Sequence, residues 1–247
     1  MKNIKIILAY DGSNYHGWQD IKAFPSVEAA LRKILEKILQ EKITLQAASR
    51  TDAGVHAKGQ VVNFFTKKNL HFPQIERSIN GLLPSDIAVL KVEEAPKDFH
   101  PTLDCKNKEY HYRVSALPAQ IPQNRLYSWH FPYPLDIGLM QRESKALLGT
   151  HDFAGFTNRR SDKNYSSTVR ELTKVDLIDL PEKQLVFEIR GIHFLYKMIR
   201  NIVGYLLYVG CGKLSADLLP TLLRNKDRRL GGITAPAHGL TLLKVDY

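Results

Sequence analysis

The N-terminal part of the chain alternates between two hydrophobic patterns, and their order limits the folds open to it. Residues 4–10 have the pattern of a strand, which ends in the turn-forming cluster 11–14. Ser26 is placed to cap a helix, because apolar residues then recur every three or four positions as far as Leu39. Further strands are predicted at 43–47, 60–65 and 87–92, and a short helix at 75–82. The order β-α-β-β-α-β is that of a ferredoxin-like split unit.

A similar set of elements follows residue 104. Strands are predicted at 109–115, 172–178, 185–189 and 240–245, and helices at 136–148, 194–208 and 216–224. We therefore expect an α/β (α+β) fold of two ferredoxin-like-derived modules, residues 1–104 and 105–247, with mainly antiparallel sheets.

Composition limits the functional class. The 247 residues include 35 Lys+Arg against 25 Asp+Glu, a net charge of +10, which favours a polyanionic partner but also suits a basic protein without one. Cys105 and Cys211 are too few for a disulfide framework or a Cys-rich zinc site. No run approaches the roughly 20 apolar residues of a membrane span, and no signal peptide is recognisable. We expect a cytoplasmic protein.

The polar segment 49–57 lies between two predicted strands and is the main candidate for chemistry. Arg50 and Asp52 are close enough in sequence to form a charge-assisted pair that keeps the carboxylate ionised. An aspartate held in this way can act as a nucleophile. Alternatively, Asp52 caps backbone N–H groups of a turn and Arg50 packs beside it. The residues by themselves leave both interpretations open.

Several motifs, in order along the chain, resemble those of tRNA pseudouridine synthases of the TruA type. They lie at 10–19, 50–56, 80–87, 194–204 and 238–240. The resemblance implies the pseudouridine synthase fold and an isomerase that converts uridine to pseudouridine in the anticodon stem-loop of tRNA, just 3′ of the anticodon. The N1–C1′ bond breaks, the uracil turns over, and C5 joins C1′. Because the atoms are conserved, no redox cofactor, nucleotide or metal is expected, in agreement with the lack of dinucleotide and P-loop motifs.

The resemblance also implies roles for particular residues. Asp52 is the nucleophile, by attack at C1′, attack at C6 or a glycal route, and Arg50 helps to displace the target nucleotide. Tyr110 packs on the flipped base, for which an aromatic face is suited. Arg200, on the long C-terminal helix, supplies a cation that pairs with Asp52. Alternatively, Arg200 is an ordinary surface arginine of that helix.

Further residues are expected to bind substrate. Leu240 and Val203 form apolar walls that limit water, and Trp18 and Gln19 lie in a loop that resembles an RNA-contacting loop of the family. Basic side chains that contact phosphates, or else form a solvated face, are Arg159, Arg160, Lys163, Arg170, Arg228 and Arg229. Asp20 departs from the family pattern. The implied partner is tRNA, held by its anticodon arm and elbow across a homodimer with a central basic cleft between the modules.

Two other functional classes are considered. A non-catalytic RNA-binding protein of the same fold would have a damaged active loop, whereas Arg50, Asp52, Tyr110 and Arg200 are all present. A metal- or nucleotide-dependent enzyme could use Asp11, Asp52 and histidines, but no H-x-x-x-H spacing supports a metal site.

Overall fold

The computed structural model describes residues 1–158 and 165–247, which form two compact units. One unit comprises Met1–Lys106 and Thr241–Tyr247, and the other comprises Asn107–Leu240. The expected boundary after residue 104 is therefore nearly right, but the assignment of 241–247 to the second module is wrong. These residues join the first unit because Thr241 and Leu242 pair in parallel with His56 and Ala57. Such a long-range pairing leaves no local pattern in the sequence.

The predicted strands and helices occur in the predicted order, and the short strands at 129–130 and 149–152 were not predicted. The strands are β1 (Lys2–Tyr10), β2 (Gln46–Ala47), β3 (His56–Thr66), β4 (Ile87–Ala95), β5 (Asn107–Ser115), β6 (Trp129–His130), β7 (Gly149–Asp152), β8 (Val169–Leu180), β9 (Gln184–Gly191) and β10 (Leu240–Asp246). The α-helices are α1 (Val27–Leu39), α2 (Phe72–Asn80), α3 (Ile137–Lys145), α4 (Met198–Gly210) and α5 (Leu218–Asn225). Short 3₁₀ turns include Gly12–Asn14, Phe153–Phe156, Arg228–Gly231 and Ala237–Gly239.

In the first unit, β1 lies between β3 and β4 and is antiparallel to both. Short β2 pairs with β3 as well. The helix cap predicted at Ser26 is confirmed, since its hydroxyl accepts a hydrogen bond from the N–H of Ala29 at 3.2 Å. The strand predicted at 43–47 is reduced to Gln46–Ala47, because the N–H of Ile43 donates to the carboxylate of Glu36 instead of to a strand.

In the second unit, β9 lies between β5 and β8, antiparallel to both, and β7 continues the sheet beside β8. Helix α3 packs against α4 and β8. Helix α4 is buried over most of its surface, as its apolar sequence predicts. Its predicted start at residue 194 is wrong, because Lys197 adopts a left-handed conformation (φ 59°) and the helix begins at Met198.

Among the described residues, no helix combines the length and apolar character that crossing a bilayer requires.

Candidate active site

Buried polar side chains form hydrogen bonds with the segment between β2 and β3. The hydroxyl groups of Tyr10 and Thr51 are hydrogen-bonded at 2.8 Å, and the carbonyl of Thr51 accepts from the N–H of Trp18 at 3.1 Å. The side-chain amide of Gln60, which has no exposed surface, donates to the carbonyl of Ser49 at 2.7 Å and accepts from its N–H at 3.2 Å. The stretch that leads to the tip of the loop is therefore held by buried and part-buried hydrogen bonds.

Burial also shifts the pKa of one of these groups. Desolvation raises the pKa of Tyr10 to about 12, although the hydrogen bonds with Thr51 and Gln60 act in the opposite direction. The phenol is neutral at physiological pH even at its ordinary pKa of 10, and burial strengthens that preference.

The tip of the loop presents Asp52. Its carbonyl accepts from the N–H of Val55 at 3.1 Å, which closes a turn in which Gly54 has a positive φ of 76°. Thr51 and Val55 are buried, whereas Asp52 between them is half-buried and Arg50 is exposed. The turn therefore leaves Asp52 partly exposed, while the residues on either side of it are anchored by burial. The pairing of Arg50 with Asp52 stays a prediction.

His56 and Asp11 hold the base of the same turn. The imidazole Nδ1 of buried His56 accepts from the N–H of Gly12 at 3.1 Å, and a carboxylate oxygen of Asp11 lies 3.1 Å from the same nitrogen. The Asp11 carboxylate also accepts from the N–H and the hydroxyl of Ser13. These contacts give both His56 and Asp11 a role in holding the turn.

Trp18 of the neighbouring loop packs in the core. Its side chain is 3% exposed and its ring lies 6.4 Å from that of Tyr10, and its contact with RNA stays a prediction. Gln19 is exposed, and its contact with RNA stays a prediction. Asp20 pairs with Arg32 and accepts from the N–H of Lys22 at 2.9 Å. Its departure from the family pattern thus has a local structural use.

In the second unit, Tyr110 lies on β5 opposite Ile189 of β9. The ring is 6% exposed and meets Phe194 edge-on, with centroids 5.3 Å apart. Tyr112, two residues on, is fully buried and donates to the carbonyl of Pro236 at 2.7 Å, while burial raises its pKa. Tyr112 is therefore a core residue.

Arg200 lies in the first turn of α4. Its Nε donates to the carbonyl of Ala235 at 2.7 Å, and its own carbonyl accepts from the N–H of Ala235 at 3.1 Å. The side chain is half-buried, which favours a fixed position over that of an ordinary surface arginine, and its pairing with Asp52 stays a prediction. Val203 has no exposed surface and Leu240 is 6% exposed; their roles as walls of a substrate site stay predictions.

The basic residues separate into different environments. Arg159, Arg160 and Lys163 lie outside the described residues. Arg170 is half-buried, and its Nη1 donates to the carbonyls of Ser167 and Val169 at 3.0 and 2.5 Å. Burial lowers its pKa. Because these bonds hold one end of the guanidinium, a phosphate contact for Arg170 stays a prediction and would use its remaining donors.

Arg228 and Arg229 differ although they are adjacent. Arg228 donates to the carbonyl of Gly232 at 2.8 Å and to the side chains of Asn201 and Thr234 at 2.8 and 3.0 Å. These internal hydrogen bonds use its two terminal nitrogens, and burial lowers its pKa. The expected contact with phosphate stays a prediction. Arg229 has a side chain that is 90% exposed and pairs with Asp227.

The strands of the second unit carry a charge network that the sequence did not indicate. His111 Nε2 lies 3.1 Å from a carboxylate oxygen of Glu109 and 3.4 Å from one of Glu188. These three residues offer ligand atoms within 4.8 Å of one another. The ammonium group of Lys174 binds Glu188, so this cluster is an ion-pair network across β5, β9 and β8.

Sequence reasoning missed two residues that hold the site. Gln60 and Asn201 are both fully buried amides, one in strand β3 and the other in helix α4. The available signal was a polar residue inside an apolar run, because a buried amide must find partners. The sequence could not say which partners.

Comparison with known proteins gives consistent matches. A family model described as tRNA pseudouridine synthase matches residues 6–104 and 144–247, which include Asp52 and Arg200 but not Tyr110. The tRNA pseudouridine synthase A 2 of Protochlamydia amoebophila (strain UWE25) is 49% identical over 248 residues, covering 100% of this chain and 95% of that protein. The tRNA pseudouridine synthase A of Thermoanaerobacter sp. (strain X514) is 42% identical, with 100% of both chains covered.

Among solved structures, one described as a Cbf5-Nop10-Gar1 complex covers 82% of this chain at 12% identity. Its TM-score of 0.34 is too low to establish a shared fold. The sequence matches are decisive and define the class of the protein as an isomerase. The chain belongs to the tRNA pseudouridine synthase family, as the motifs in its sequence indicate.

Proposed function

We propose that this protein isomerises uridine to pseudouridine in tRNA and that Asp52 is its nucleophilic carboxylate. The observation that carries the proposal is the presentation of Asp52: a half-buried carboxylate between two buried residues, on a loop held by internal hydrogen bonds. A rigid loop of this kind favours a nucleophile, because the carboxylate is already in position and the loop needs little rearrangement during the reaction.

The reaction is an exchange of bonds within one nucleoside. The N1–C1′ bond breaks, the free uracil turns, C5 bonds to C1′, and the proton on C5 leaves while N1 gains one. The carboxylate of Asp52 can attack C1′, attack C6, or abstract a proton on a glycal route. Each route uses an ionised oxygen beneath a base that has left its stack.

We assign the supporting roles to three residues. Tyr110 packs its ring on the flipped uracil; its support is the edge-on contact with Phe194, which fixes the ring plane. Arg200 supplies a cation for the reaction, supported by the hydrogen bond that fixes its Nε. Arg50, exposed beside Asp52, displaces the target nucleotide.

The substrate and assembly follow from the same family relationship. We propose that the targets are uridines of the anticodon arm, just 3′ of the anticodon, in a tRNA also contacted at its elbow. We further propose a homodimer that acts in the cytoplasm, with Gln19 and Arg170 among the RNA contacts. The excess of positive charge supports a polyanionic substrate.

The test is incubation of the purified full chain with unmodified tRNA, without added cofactor, followed by mapping of pseudouridine. Asp52→Asn should lower conversion by at least about a thousandfold, with tRNA affinity nearly unchanged. Asp98→Asn is the matched control, because Asp98 is an exposed aspartate of the same unit, and it should be fully active. Binding of tRNA without conversion by the wild type would instead establish a non-catalytic RNA-binding protein.

A further inference from the structure

The segment 232–235 determines where the guanidinium of Arg200 points. The carbonyl of Ala235 accepts from Arg200 Nε at 2.7 Å, and the N–H of Ala235 donates back to the carbonyl of Arg200 at 3.1 Å. A guanidinium is planar and rigid, so a bond at Nε sets the direction of both Nη groups. Any shift of Ala235 therefore changes the orientation of the Arg200 guanidinium.

Arg228 holds this segment at two points. Its Nη1 donates to the carbonyl of Gly232 at 2.8 Å, and its Nη2 donates to the hydroxyl of Thr234 at 3.0 Å. The Nε of Arg228 is buried and has no hydrogen-bond partner within the part of the chain that the structure describes. Burying this N–H without a partner costs free energy, and the hydrogen bonds of the two terminal nitrogens to the segment that carries Ala235 offset it.

Asn201 closes the connection to the helix. It follows Arg200 in α4, has no exposed surface, and its carbonyl oxygen accepts from Arg228 Nη2 at 2.8 Å and from the Thr234 hydroxyl at 2.7 Å. Its amide nitrogen donates to the carbonyl of Phe156 at 2.7 Å. Every polar atom of the Asn201 side chain is therefore used, and the amide cannot turn without breaking bonds on both sides.

Steric contact makes the arrangement stiff. A Cβ atom placed on Gly204 of α4 would lie 1.8 Å from the carbonyl oxygen of Ile233, so the helix backbone and the segment are in direct contact there. The segment is thus fixed by contact at Ile233 and by hydrogen bonds at Gly232, Thr234 and Ala235. Packed elements of this kind shift together and not independently.

We propose that Arg228, Thr234 and Asn201 are positioning residues that aim the guanidinium of Arg200 for the isomerisation. The proposal rests on the proposed function, since it needs Arg200 to act in the reaction. It also assigns Arg228 an internal role in place of a contact with RNA phosphate. Displacement of a reacting group by about 1 Å can cost on the order of a hundredfold in rate, so a partial loss of this network should be measurable.

Thr234→Val tests the proposal, because it removes the hydroxyl that binds both Arg228 and Asn201 and keeps the side-chain shape. We expect kcat to fall about tenfold while KM for tRNA changes less than about twofold, since ground-state binding is untouched. Thr234→Ser should restore kcat. Thr173→Val, the same change at an exposed strand position, should behave as the wild type. A raised KM with unchanged kcat would overturn the proposal and make Arg228 an RNA contact.

A second arm repeats Thr234→Val in an Arg200→Ala background, with single-turnover rates. If the network acts through Arg200, the added change should have no further effect on the rate; an equal fractional loss in both backgrounds would overturn the proposal. Arg228→Lys carries the same two measurements should Thr234→Val fail to fold. An active wild type in either case preserves the proposed function, whereas an inactive wild type would sink the function and this inference together.

Discussion

Gly17 and the carbonyl of Thr51 approach so closely that no side chain fits between them. A Cβ atom on Gly17 would lie 2.5 Å from the oxygen of Thr51 and 3.0 Å from the carbonyl carbon of Asp52. Gly17 also has φ +95°, a conformation that residues with a side chain rarely adopt. The loop 11–25 is thus pressed directly against the residue before the proposed nucleophile.

Gly17→Ala should therefore displace the turn that carries Asp52. Gly149→Ala is the control, since Gly149 has φ +87° but nothing within 4 Å of the added carbon. The control should lower the free energy of unfolding by about 1–2 kcal/mol from backbone strain alone. Gly17→Ala should lose a further ~1–3 kcal/mol from overpacking and most of its activity. Equal losses of stability and full activity in both variants would show that the contact at Thr51 does not hold the loop.

Gln60→Leu should loosen the start of the same loop. It leaves the N–H and the carbonyl of Ser49 without the amide that binds both, which costs about 1–3 kcal/mol of unfolding free energy. We expect kcat to fall with little change in tRNA affinity. Gln74→Leu on the exposed side of α2 should change stability by less than about 0.5 kcal/mol. Chemical denaturation measures the free energy of unfolding, and single-turnover assays measure the rate of the chemical step. An unaffected kcat in Gln60→Leu would show that Gln60 does not support Asp52.

Arg200→Ala should impair the chemical step more than the binding of tRNA. Loss of one charge-stabilising donor typically costs about 100- to 1,000-fold in kcat, whereas the phosphate contacts that dominate affinity remain. Arg142→Ala, which removes an exposed arginine from α3, should leave both quantities unchanged. Equal losses of kcat and affinity in Arg200→Ala would identify Arg200 as a docking residue.

The ion pair of Asp20 with Arg32 should contribute to the pH dependence of stability. The hydrogen bond from Arg32, with that from the N–H of Lys22, lowers the pKa of Asp20 below its ordinary value of 3.8. A depressed pKa in the folded state stabilises the protein above pH 3.8, and this contribution is lost as the pH falls through the lower, folded value. In Asp20→Asn the difference in unfolding free energy from the wild type should shrink as the pH is lowered. A difference that stays constant across this range would show that the pair does not couple to folding.

Hydrophobic periodicity predicted the elements well where packing is local. The stripe from Val27 to Leu39 became α1, and the cap at Ser26 formed as expected. It failed at Ile43, whose N–H met the Glu36 carboxylate, and at 194–197, where the left-handed Lys197 delays the helix. Both failures come from a single contact or a single backbone torsion, and hydrophobicity averaged over a window of residues does not report either one.

The candidate site divides in the same way. The sequence by itself determined the family, the succession of most strands and helices along the chain, and the candidate residues Asp52, Arg50, Tyr110 and Arg200. Motif identity and periodicity are properties of the linear sequence. Only the tertiary structure decided that Trp18 is buried, that Arg228 binds Asn201 and Thr234, and that residues 241–247 pair with β3. These facts depend on which distant groups meet. Burial and hydrogen bonding are properties of pairs brought together by folding, and residues far apart in sequence leave no local signal of their partners.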